Sequence, residues 1–170
     1  MFPVVVVAMA PERFEAFFAP DDVARLRGLG EVRLVPPPTR PIDGEPLGRD
    51  DHVRMDSYQQ ALTQATVIVT GWETPLIDAD QVASCRDLRG VVHTGGSIRG
   101  HVAAESILAG LPVSSQTAGN AIAVTEFTLA QILLGAKQVG QATRAYRARR
   151  GPIDPLTEFP LVGAEGSTVG

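Results

Sequence analysis

The chain has 170 residues, 44% of them hydrophobic and 20% charged, with a formal net charge of −4. That is length enough to build a core without covalent staples, and the mild acidity leaves no overall electrostatic footprint for nucleic acid. A single cysteine, Cys85, excludes both a disulfide framework and a thiolate metal cluster.

The opening MFPVVVVAMAPE lacks the basic leader and small-residue cleavage site of a secretory signal and reads as a strand from Pro3 to Met9. Its continuous apolar run fits a parallel strand buried on both faces. Phe14, Phe17 and Phe18 then recur at helical spacing, Pro20 breaks that helix, and Asp21-Asp22 starts another that ends near Gly28 or Gly30. Glu31 to Val35 reads as a second strand. Five prolines between Pro36 and Arg54 mark an irregular surface loop, and MDSYQQALTQA follows as a helix with Asp56 as its N-cap. Thr66 to Gly71 is the third strand, DADQVASC a helix, and Leu88 to Gly95 the fourth strand. HVAAESILAG reads as a helix closed by Gly110, and Leu111 to Gln116 as a short fifth strand.

A long helix is expected from about Asn120 to Arg149, weakened at Gly135 and Gly140. Its first half is apolar nearly all round, which implies burial between two bodies. The apolar stretch from Ala118 to Ala136 is interrupted by Asn120, Thr125, Glu126 and Gln131, which disfavours a membrane span. A soluble, cytoplasmic protein is the resulting expectation. Strands alternating with helices predict an α/β fold, a flavodoxin-like, doubly wound, parallel five-stranded sheet. Such sheets bind ligands beyond the C-terminal ends of their strands, where strand order reverses.

Four loops therefore matter: Met9-Ala10-Pro11, GWETP (71–75), TGGSIRG (94–100) and QTAGNA (116–121). In the third, Gly95, Gly96 and Ser97 follow a buried strand, so consecutive backbone N–H groups can form an anion nest there. A tight turn that needs glycine for geometry alone is the competing reading. Trp72, the only tryptophan, can wall a cleft, with Glu73 ionised at its mouth; a packed turn explains the same residues. His52, His93 and His101 show no metal-ligand spacing and read as bridging or core histidines. Without a GxSxG elbow, a hydrolase triad built on Ser114 or Ser115 is disfavoured. RAYRARR (144–150) reads as a solvated helix end whose cations complement the helix dipole.

Taken in order, ATVIVTG, LRGVVHTGGSIRG, AGLPVSSQTAGNAIAVTEFTLAQILL and LVGAEGSTVG resemble the D-isomer-specific 2-hydroxyacid dehydrogenases, the phosphoglycerate-dehydrogenase-like group. The resemblance covers residues 65 to 170 well and the first sixty only as a compatible half. It implies a flavodoxin-like substrate domain at 1–118, a crossover helix at 119–150, and at 151–170 the approach to a Rossmann domain for NAD or NADP. The family's GxGxD turn is similar to Gly95-Gly96-Ser97-Ile98-Arg99, so Gly96 and Ser97 would hold a substrate carboxylate through their amides. Ser97 and Arg99 depart from the family's glycine and aspartate, which points to a different, more acidic substrate. The N-x-x-x-V-A-E motif is similar to Asn120 through Glu126, with Thr125 in place of alanine. Trp72, Asn120 and Glu126 would then border an interdomain cleft.

On this resemblance the dinucleotide fingerprint and the catalytic residues would lie beyond Gly170. The chain would be an N-terminal portion of the enzyme, inactive and binding no cofactor by itself. The complete enzyme would be a homodimer acting on a small 2-hydroxy or 2-keto acid. The alternative is a stand-alone carboxylate-binding module without catalysis.

Overall fold

A computed structural model describes residues 2–38, 49–160 and 162–169. Five strands form one sheet: β1 Val4–Ala8, β2 Glu31–Leu34, β3 Val67–Thr70, β4 Gly90–His93 and β5 Val113–Ser115. Their order is β2-β1-β3-β4-β5, and every neighbouring pair is parallel. This is the flavodoxin-like, doubly wound sheet the sequence predicts. β1 carries VVVVA because it has a strand on each side and a core on each face.

Alternation along the strands sorts side chains into two layers. Val6, Ala8, Ile68 and Val91 face one way, packed with Tyr58, Leu62, Ile77 and Val102. Val5, Val7, Met9 and Val69 face the other, with Phe14 and Phe18 against them. The helices between the strands are α1 Pro11–Phe17, α2 Pro20–Leu29, α3 Arg49–Leu62, α4 Ala79–Ser84 and α5 Ala104–Leu108. Proline sits in the first turn of α1 and of α2, where its missing N–H leaves nothing unpaired. α4 is capped by Asp78, whose carboxylate accepts from Gln81 N at 2.8 Å.

Three expectations are corrected. α3 begins at Arg49, so Asp56 lies inside the helix and is not its N-cap. Most of the proline-rich loop falls at 39–48, outside the described residues. The long helix is two, α6 Thr117–Ala136 and α7 Val139–Arg149, and a short α8 Pro155–Glu158 follows. The break is made at Gln138, which takes a left-handed φ of 51°, and Gly163 N–H donates to Ala136 O at 2.9 Å. The two glycines are not where the helix turns.

The third correction concerns burial. No residue of α6 is buried, although a helix apolar on every side was expected to be enclosed. Ile122, Val124, Phe127, Leu129, Leu133 and Leu134 are all exposed. By length and composition α6 is apolar enough to cross a membrane. The chain divides into two compact units, Met1–Thr117 and Ala118–Gly170. Thr168 and Val169 form no strand.

Candidate functional site

Strand order reverses between β1 and β3, so the loops leaving those two strands open the crevice where ligands bind in such sheets. Thr74 ties them together. Its buried hydroxyl donates to Ala8 O at 2.7 Å and accepts from Gly71 N at 2.8 Å. Glu73 adds a second tie, accepting from Ala10 N through Oε1 at 3.2 Å. Both bonds join the β1 exit to the β3 exit, and together they fix the crevice floor.

The β4 exit joins through histidines. His93 is fully buried, with Nδ1 and the Thr70 hydroxyl 2.9 Å apart. Its Nε2 has no hydrogen-bond partner among the described residues. Burial first, and then the His101 charge, hold the His93 pKa below the usual imidazole value. The two rings stack with centroids 4.5 Å apart. His101 is half-buried, and its Nδ1 lies 3.1 Å from Thr74 O. A carbonyl only accepts, so that nitrogen carries a proton.

Gly95 follows two residues after β4, buried between side chains. A Cβ there would stand 2.3 Å from Trp72 Nε1 and 2.6 Å from His93 Nε2. Glycine is required by this close approach. The register that pairs Thr70 with His93 sets Trp72 and Gly95, each two residues further on, beside one another. Phe17 braces the indole edge-on at 5.9 Å, and Trp72 itself is 55% exposed.

The carbonyls of Gly95 and Gly96 are engaged, while the N–H groups of Gly95, Gly96, Ser97, Ile98 and Gly100 meet no acceptor among the described residues. Gln116 N–H reaches both His93 O and Gly95 O, at 3.1 and 3.0 Å. The Thr117 hydroxyl donates to Gly96 O at 2.9 Å, and Ser97 Oγ accepts from Arg99 N at 3.3 Å. Among the described residues no acceptor takes the N–H of Gly96 or of Ser97. Consecutive unspent amides at a sheet's C-terminal edge are donors that an anion could use.

Of the residues expected at a site, Gly95, Gly96, Ser97 and Trp72 therefore lie together. Arg99 is exposed at the end of the same turn. Asn120 and Glu126 are exposed on α6, in the second unit. Thr74 was passed over, and His93 and His101 were read only as bridging or core histidines. The signal available for the pair was two histidines eight apart, one closing a strand and one past the glycine turn.

On the β1–β3 side of Trp72 lies a groove of about 400 Å³. Trp72, Pro37, Pro38, Pro75 and Leu76 supply apolar walls, and Glu73 and His101 the polar ones. No group of three or more histidine, cysteine or carboxylate side chains among the described residues is placed to hold a metal ion.

Sheet order and flanking helices together define a flavodoxin-like α/β fold, which parts of two solved dehydrogenases share. The chain is similar to part of a phosphoglycerate oxidoreductase from Rhizobium etli, at 22% identity and a TM-score of 0.54, over 86% of this chain and 40% of that one. It is also similar to a D-lactate dehydrogenase from Aquifex aeolicus complexed with NAD and lactic acid, at 14% identity and a TM-score of 0.52, over 89% and 39%. The chain thus spans about two fifths of the length of either. No protein-family model matches the sequence, and no curated protein matches it.

Proposed function

We propose that this chain is the substrate-recognition part of an NAD(P)-dependent oxidoreductase that interconverts a D-2-hydroxy acid and its 2-oxo acid. The unspent N–H groups of Gly96 and Ser97 carry this reading. They lie just past the C-terminal end of β4, the edge at which such folds bind ligands, and the fold is shared with dehydrogenases of small acids. In this role the two amides receive the substrate carboxylate, and Gly95 keeps the turn close enough to Trp72 to confine it. The complete enzyme acts in the cytoplasm as a homodimer.

The residues present do not fit a dinucleotide. The turn after β1, Met9-Ala10-Pro11, has no glycine, and GxGxxG occurs nowhere in the sequence. No hydride step is therefore assigned to these side chains. When bound by the complete enzyme, the nicotinamide supplies hydride chemistry; this chain binds and orients the acid.

Two-dimensional NMR tests the reading. Pyruvate is expected to move the amide signals of Gly96 and Ser97 before any others. Water-exposed hydrogen bonds contribute only about 0.5–1.5 kcal/mol each, so affinity in the millimolar range, about −4 kcal/mol, is expected. NADH is expected not to bind. Pyruvate leaving residues 95–99 unmoved, or micromolar NADH binding, overturns the proposal.

A further inference from the structure

We infer that the acid recognised here carries an apolar tail, which Trp72 holds in the groove beside the carboxylate seat. The inference rests on the seat proposed above and names the class of substrate. Trp72 makes the two sites continuous: its indole nitrogen lies against Gly95, at the start of the seat, and its ring forms a groove wall. An acid whose carboxylate sits on Gly96 and Ser97 has its next carbons beside that ring. Pro37, Pro38, Pro75 and Leu76 continue the apolar surface. Proline walls are already ordered, so covering them removes little further conformational freedom.

Charge points the same way. Glu73 is the one carboxylate on these walls, and no lysine or arginine lines them among the described residues. The Ala10 N–H fixes the Glu73 carboxylate in place, so an anionic tail meets a fixed like charge. Arg99, the basic residue of the turn, does not line the groove. The groove therefore argues for an apolar rather than an acidic substrate.

Because Trp72 is the only tryptophan, its emission reports on this groove alone. The chain is titrated with pyruvate, with the branched 2-oxo acid of leucine and with 2-oxoglutarate, following both Trp72 emission and the amides of Gly96 and Ser97. The branched acid is expected to bind about tenfold tighter than pyruvate, the order that a few methylenes contribute in an apolar site. Only the branched acid should shift the emission, and 2-oxoglutarate should bind no tighter than pyruvate. In Glu73→Gln, which keeps an acceptor for Ala10 N–H, 2-oxoglutarate should gain affinity by roughly threefold or more at low salt. If all three acids move the amides with equal affinity, or 2-oxoglutarate binds tightest, the seat stands and the tail assignment falls. If no acid moves those amides, the seat and the tail fall together.

Discussion

His93 sits fully buried against Thr70 and stacked on His101, with one ring nitrogen unpaired. A proton added there would be a buried charge beside a second imidazole, which is why its pKa is lowered, by burial first and His101 second. The linkage sign follows. Below the ordinary imidazole pKa of about 6.5, the unfolded chain takes up a proton that the folded chain resists, so stability falls as pH drops. Urea denaturation at pH 7.5 and at pH 5.5 should therefore give a lower stability at the acid end. His93→Gln should be less stable than the native chain at the higher pH, yet lose less between the two. An unchanged pH dependence in that variant would remove His93 as its source.

Among elements, the exits of β1 and β3 are tied by one buried hydroxyl beside the exposed Glu73–Ala10 bond. Thr74 donates to Ala8 O and accepts from Gly71 N, and all of this is buried. Thr74→Val keeps the shape but strands a buried carbonyl and a buried amide, at a cost of about 1–3 kcal/mol. Equilibrium denaturation measures that loss, and amide exchange should quicken first at Gly71. A stability within error of the native chain would mean that water replaces the hydroxyl without penalty.

The parallel α/β sheet was legible in the apolar runs because a doubly wound sheet demands continuous β-branched stretches at its centre, as VVVVA and VIVT supply. The start of α3 was not, since RDDHVRMD offers no apolar stripe to mark a helix face. Nor was the break after α6, which depends on one backbone angle at Gln138 rather than on glycine. At the site, the glycine turn announced itself, but its reason did not. Gly95 yields to Trp72 and His93 only once the β3–β4 register is known. Thr74 gave no signal, because threonine in a loop is commonplace.

For the whole molecule, the exposed apolar residues of α6 are expected to govern association in solution. Phe127 is 66% exposed, and Ile122, Leu129 and Leu134 are exposed on the same helix. A patch of that size drives association. The 18.0 kDa chain should sediment faster as its concentration rises. Phe127→Glu combined with Leu134→Glu, seven residues and two helical turns apart on one face, should return it to a monomer. Concentration-independent monomer behaviour of the native chain would show that the patch is too dispersed to self-associate.

The position of β1 also bears on how the chain acquires its structure. β1 is the hub of the sheet, yet its partner β2 begins only at Glu31 and its other partner β3 only at Val67. A parallel neighbour cannot be reached through a hairpin, so each pairing must wait for a long stretch of chain to close. The β1–β3 pairing spans the greater separation, and it brings together Val6, Ala8 and Ile68 of one core layer. Non-local pairing of this kind makes for slow folding. During that interval VVVV is an unpaired β-branched run, open to the wrong neighbour. The segment that organises the finished sheet is thus also the one most exposed to misassembly while the chain is still searching for it.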